Sequence, residues 1–178
     1  PLYRGRVTMN KLTATSVSIG IVGAIMSWIY LGVLGAAVAI PVSFIAWGAF
    51  AAAGGNNKAV AGTVTPLIYG AVVAWVTAFI IMPQLGNLIA NGAVANALSV
   101  GISVVALIYG TGKVKAFSAT PVAVYGYALF FALVLSGTAG DLTGASLTGN
   151  PLVFVAGFGI AGAVFGLIAN NLAASLGK

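Results

Sequence analysis

The sequence predicts an all-α integral membrane protein of six transmembrane helices, arranged as two inverted three-helix repeats. Three observations predict it. Of 178 residues, 61% are apolar and only 4% are charged, where a soluble domain carries about 25% charged residues. Six stretches are apolar over about the length needed to cross a bilayer core. With six spans and both ends on one side, all seven Lys and Arg residues fall on that side.

The first span runs from about Thr13 to Leu31, the second from about Ala36 to Ala53. A short Gly54-Gly55-Asn56-Asn57-Lys58 turn follows. The third runs from about Val60 to Met82 and ends at Pro83. The fourth runs from about Leu88 to Tyr109, before Gly110-Thr111-Gly112. The fifth covers about Phe117 to Leu135. Ser136 to Gly149, rich in Gly, Ser and Thr, is the longest loop. The sixth begins at Asn150-Pro151, a cap followed by Pro at the first helical position, and reaches about Ala173.

Charge fixes the orientation. The inner segments hold Arg4, Arg6 and Lys11, then Lys58, then Lys113 and Lys115, then Lys178. The outer loops hold no Lys or Arg, and the third holds Asp141. This is the positive-inside pattern, with both termini cytoplasmic; five or seven spans would scatter the charges. Residues 1–10 are then a cytoplasmic segment and 11–178 one membrane domain. Arg4, Arg6 and Ala37-Val38-Ala39 also fit a signal peptide, but the chain retains the segment. Met9-Asn10-Lys11 resembles a natural start, and residues 1–8 read either as an expression remnant or as a true extension.

Composition narrows the chemistry. The chain has no Cys and no His, and Asp141 is its one acidic side chain. Thiolate zinc sites, imidazole bases and carboxylate pairs are therefore excluded, so no catalytic or metal residue is assigned and no cofactor is expected. No acidic residue lies within a span, which argues against proton-coupled transport. Sodium coupling through hydroxyls and carbonyls survives. The seven basic residues are too dispersed for a nucleic-acid surface.

The repeat rests on two alignments. Pro41 to Phe50 matches Pro121 to Phe130 at an offset of 80, keeping Pro, Val and Phe. Thr65-Pro66-Leu67-Ile68-Tyr69 matches Asn150-Pro151-Leu152-Val153-Phe154 at an offset of 85. The units are 11–83 and 88–175, and an odd number of spans inverts the second copy. Recurrent Pro and Gly in membrane helices would also produce such matches. Inverted repeats place a solute path at their interface.

Candidate path residues follow. Ser16, Gly20, Gly23 and Ser27 share one face of the first helix, and Gly159, Gly162 and Gly166 one face of the sixth. Such stripes serve tight packing or line a pore. The fourth span is more polar: Gln84, Asn87 and Asn91 lie near its outer end, and Gly92, Asn96, Ser99 and Ser103 deeper. Trp28, Tyr30 and Tyr109 fit an interfacial belt. Trp47, Tyr69, Tyr125 and Tyr127 lie deeper and are candidates to narrow a polar path. Pro66, after Thr63 and Thr65, and Pro121, after Thr120, are candidate kinks whose freed carbonyls either accept from Thr hydroxyls or line a cavity.

Phe44 to Gly55, followed by Lys58-Ala59-Val60-Ala61-Gly62, resembles the domain of unknown function 1097 family. So do the Met9-Asn10-Lys11 start, the Phe117-Ser118-Ala119-Thr120-Pro121 entry and the Gly-rich sixth helix. The resemblance covers residues 9 to 175. It implies a small bacterial inner-membrane protein and brings no functional residues with it.

Two functions fit. One is a passive channel or facilitator for a small, mostly neutral solute, because Asn, Ser and Tyr supply polarity where charge is absent. The other is a structural or accessory subunit whose Gly-rich faces pack against a partner complex. Membrane lipid, a small solute and further copies of the chain, as a homo-oligomer, are the expected partners.

Overall fold

The computed structural model describes residues 9–177; the expectations for Arg4, Arg6, Lys178 and residues 1–8 lie outside them. The described chain is helical throughout. Seven α-helices follow one another: α1 (Lys11–Trp28), α2 (Ala39–Ala52), α3 (Asn57–Val76), α4 (Met82–Leu88), α5 (Gly92–Lys113), α6 (Thr120–Leu135) and α7 (Pro151–Leu176). Wide π-helical turns extend α1 over Ile29–Val33 and join α3 to α4 over Thr77–Ile81.

Local chemistry sets the helix starts. Asn10, Asn56, Asn91 and Asn150 are N-caps, each side-chain oxygen accepting from backbone N–H groups of the following turn. The sixth predicted helix thus begins at its predicted cap. Pro83 does not end the third helix: it lies in the first turn of α4, directly after the wide π turn, within one helical segment continuous from Asn57 to Leu88. The helix therefore runs on to Leu88, and Gln84 and Asn87 belong to it rather than to the fourth span. Pro121 likewise lies in the first turn of α6, so it kinks nothing. Pro66 is the one candidate inside a helix.

Four helical segments are long and apolar enough to cross a membrane: Lys11–Val33, Asn57–Leu88, Gly92–Lys113 and Pro151–Leu176. The helices α2 and α6 are apolar but shorter, with 14 and 16 residues. At 1.5 Å per residue they reach about 21 and 24 Å, less than the ~30 Å hydrocarbon core.

The bundle is held by two extensive pairings, α3 on α6 and α2 on α7, with α3 crossing α7 and α1 lying along α7. Glycines bring backbone against backbone here. Gly70 of α3 faces the Ala123 carbonyl, Gly126 of α6 faces the Leu67 carbonyl, and Gly162 of α7 faces the Ser43 carbonyl. Gly166 sits under the Phe50 and Trp47 rings. Dispersion contacts of this closeness replace the hydrophobic effect that lipid cannot supply.

The buried rows recur along the chain. In α2 they are Val42, Ser43, Ala46, Trp47 and Phe50; in α6, at a constant separation of 80, Val122, Ala123, Gly126, Tyr127 and Phe130. The row Ala14, Ser18, Val22, Met26 and Tyr30 recurs 81 residues on as Ala95, Ser99, Ser103, Leu107 and Thr111. The row Ala59, Thr63, Pro66, Leu67, Gly70, Ala71, Ala74 and Thr77 recurs 92 residues on, from Pro151 to Ala169. The last separation replaces the offset of 85. Aligning the two prolines misleads, since Pro66 is mid-helix and Pro151 opens one.

The two ends of the bundle differ. The Met9 N–H donates to the Leu176 carbonyl at 3.2 Å, so the first and last described residues meet. Asn170 of α7 donates to the Gly55 carbonyl at 2.8 Å, tying the α2–α3 turn to the same end. Gly55 has φ +62, and a Cβ there would strike the Asn170 amide. Lys115 lies beside Ala61 and Gly62 at the start of α3. Asp141 is in the loop at the other end, where Trp75 donates to the Leu142 carbonyl at 2.7 Å. N–H groups of Gly144 and Thr143, with the Thr143 hydroxyl, hold the Asp141 carboxyl below the usual carboxylate range.

Gly70→Ala and Gly126→Ala should each destabilise the protein by about 1–3 kcal/mol, because a Cβ must displace backbone. Gly20→Ala and Gly101→Ala, which open onto free space, should stay within about 0.5 kcal/mol of the parent. Unfolding in a graded denaturing detergent measures both pairs.

Candidate functional site

Between α2 and α6, at the end that carries Lys58 and Lys115, lies a groove of about 510 Å³. Ile45, Gly48, Ala49, Ala52 and Ala53 line it from α2, and Ala119, Pro121, Val122 and Tyr125 from the start of α6. Its origin is a size difference between corresponding residues. Where α2 has Ala49 and Ala53, α6 has Leu129 and Leu133, 80 positions on. Leu133 is buried at 2% exposure, whereas Ala53 is exposed. Each leucine carries three carbons more than the matching alanine, six in all over the two positions, so the wall of the groove is built from the smaller side chains.

The groove is apolar apart from the Tyr125 side chain, which is 43% exposed. A hollow of about 220 Å³ adjoins it through the shared residue Ala119 and brings Thr65, Lys115 and Ser118 to the rim. The other lysine of this connection, Lys113, is turned over the Tyr109 ring, 5.4 Å from its centroid.

The polar side chains inside the bundle join helices in pairs. Tyr30 and Ser43 share a hydrogen bond of 2.9 Å, and the Ser43 hydroxyl donates to the Phe158 carbonyl at 2.8 Å. Ser103 and Tyr127 share one of 2.7 Å. These clasps link α1 to α2 and α5 to α6, with the Tyr and Ser exchanged between first and second helix. Tyr69 donates to the Ala106 and Leu107 carbonyls at 3.0 and 3.3 Å and stacks on Phe117. Ser99 donates back to the Ala95 carbonyl at 2.8 Å. Ser18 and Thr63 are buried with no partner for their hydroxyls.

Of the candidate path residues, the structure brings together Ser103 and Tyr127 and sets Tyr125 in the groove. Trp47 is buried and stacked on Phe44, with ring centroids 5.6 Å apart. Ser16 and Asn96 are exposed on the outer faces of α1 and α5 and line nothing inside the bundle. The reason is angular: Asn96 follows the buried Ala95 and Ser16 lies two residues from both Ala14 and Ser18, so each is turned out of a narrow i, i+4 seam. Sequence reasoning assigned no role to Ser18 or Ser43, and the Thr63 hydroxyl, considered as a partner for a carbonyl freed by Pro66, has no partner. The i+4 row from Ala14 to Tyr30 was the signal that would have found Ser18. It also missed the alanines of the groove, which carry no polar signature.

A family model described as a protein of unknown function (DUF1097) matches residues 16–174, and the chain belongs to that family. No curated protein and no solved structure matches the chain.

Ser103→Ala and Tyr127→Phe should each cost about 1 kcal/mol, with a coupling energy of about 0.6–1.5 kcal/mol in a double-mutant cycle. Ser99→Ala, which breaks a bond only within its own helix, should couple to neither. Unfolding in mixed micelles gives the three values.

Proposed function

We propose that this member of the DUF1097 family is a facilitator for a small, mostly neutral solute in the bacterial inner membrane. It crosses the membrane six times, with both termini cytoplasmic, as two inverted three-helix units. The observation that carries this reading is the groove between α2 and α6 at the basic end of the bundle.

The six crossings are supported by where the chain returns. It leaves the basic end at Lys11 and is back there at Gly55, bonded to Asn170, so α2 recrosses although it is short. It leaves that end again near Lys115 and reaches the loop that precedes Pro151, so α6 crosses too. Residues outside the helix ends make up the missing length.

The inverted repeat is supported by the recurring buried rows and by the pairing of helices. Exchanging the halves turns α2 on α7 into α6 on α3, the other extensive pairing, whereas the packing of α1 on α7 becomes the much slighter one of α5 on α3. The groove then lies between corresponding helices, where inverted repeats hold their solute. Basic residues at the groove's end make that end cytoplasmic.

A structural or accessory role draws on one specific feature. Asn96 is exposed on α5, and an amide on an outer helix face gains from a partner helix. Mass analysis in detergent separates the readings: a homo-oligomer of constant size favours the facilitator, and obligate copurification with a larger complex favours the accessory role.

The flux test uses proteoliposomes and stopped-flow swelling with small neutral solutes and weak acids. Protein-dependent, solute-selective flux should appear without an ion gradient. Gly48→Trp, which fills the groove, should lower it at least tenfold, and Asn96→Leu should leave it unchanged. Flux that survives Gly48→Trp, or no flux for any solute, would sink the reading.

A further inference from the structure

The first and last helices meet at one level. Lys11 opens the span-length segment Lys11–Val33, Leu176 closes Pro151–Leu176, and the Met9 N–H on the Leu176 carbonyl ties these ends together. In a bilayer the ends of two spans mark the boundary between acyl chains and headgroups. Between the helices, at that boundary, lies a cavity of about 500 Å³. It is separate from the groove between α2 and α6 and independent of any solute path. Lys11 and Thr15 line it from α1, and Asn170, Ala173, Ala174 and Gly177 from α7 and its cap.

The polar groups of this cavity are suited to an anion. Lys11 brings an ammonium on a flexible stem, Thr15 a hydroxyl, and Asn170 an amide with two N–H groups. One of those N–H groups donates to the Gly55 carbonyl at 2.8 Å, which sets the amide plane before a ligand arrives. Ala173, Ala174 and Gly177 are small, so the space between the donors stays open. Among the described residues no acidic side chain lines the cavity.

Deeper in, the surface turns apolar. Lys11, Thr15 and Ile19 fall at i, i+4 and i+8 on one face of α1, and Ile19 is 39% exposed. A ligand here meets a cation and hydrogen-bond donors at its head and hydrocarbon one turn below. Free phosphate answers only the first of these, whereas a phospholipid answers both. We infer that the cavity holds the phosphate headgroup of an anionic phospholipid, with an acyl chain laid along Ile19. One Lys near an anionic membrane surface strengthens binding about fivefold. A zwitterionic headgroup carries its own cation and forfeits that gain. The bound lipid ties α1 to α7 and, through Asn170, to the α2–α3 turn.

The test uses the full chain in neutral detergent, with native mass spectrometry counting adducts as phosphatidylglycerol or phosphatidylcholine is titrated. Phosphatidylglycerol should bind at least fivefold more tightly. Lys11→Gln should weaken it about fivefold, the effect of one such charge, and Lys11→Arg should keep it. Ala174→Leu, which fills the cavity and removes no charge, should weaken it at least fivefold. Lys115→Gln takes a charge from a different hollow at the same end of the bundle and should change it less than about twofold.

Equal binding of the two lipids, equal losses from Lys11→Gln and Lys115→Gln, or indifference to Ala174→Leu would overturn the inference, because the lysines would then act only as a diffuse surface field. Inorganic phosphate and glycerol phosphate at millimolar concentration should not displace the lipid. Displacement by either would assign the cavity to a free phosphate, and the lipid site falls. The readout is lipid binding, so a protein that passes no solute leaves this site standing, and loss of the site leaves the facilitator standing.

Discussion

The close approach of backbones at Gly70, Gly126 and Gly162 is the constraint on which the rest of the molecule depends. Each glycine faces a carbonyl on a neighbouring helix, Ala123, Leu67 or Ser43. In lipid there is no water to expel from between helices, so contact area and closeness must do the joining. That fixes the depth at which α3 meets α6 and α7 meets α2. It also fixes which side chains stand beside the crossings: Trp47 and Phe50 over Gly166, Leu67 against Gly159. With the two pairs locked, the space left between α2 and α6 is set by side-chain size alone.

Charge has been removed from the interior and replaced by hydroxyl clasps. Tyr30 with Ser43 and Ser103 with Tyr127 each give two buried hydroxyls a partner on the adjacent helix. Lys58 and Lys115 stay at one end, and the carboxylate of Asp141 is held at the other by loop N–H groups. A protein built this way presents the same interior across the physiological pH range, because nothing inside it titrates there.

Much of this fold was legible from composition and pattern. The all-helical character and the cap at Asn150 agree with the structure, and the buried residues of α2 and α6 fall 80 positions apart, the separation read from the sequence. A boundary failed at Pro83, read as a stop but lying within the continuous segment Asn57–Leu88, and Pro121, read as a kink, sits in the first turn of α6, where proline costs nothing. The α3–α7 register failed because a proline motif was aligned instead of a buried face. The structure pairs Ser103 with Tyr127 across helices and turns Ser16 and Asn96 outward, an angle that a stripe of polar residues does not carry. In a membrane helix both sides are apolar, so hydropathy cannot supply that angle.

The asymmetry of the groove follows from this arrangement. Two halves with matching buried rows would, with matching side chains, leave equal clefts at both ends of the α2–α6 pair. Ala49 and Ala53 against Leu129 and Leu133 break that equality in the sequence itself. A cleft produced only by motion would not require different residues at corresponding positions. One written into side-chain volume does not depend on where the helices stand.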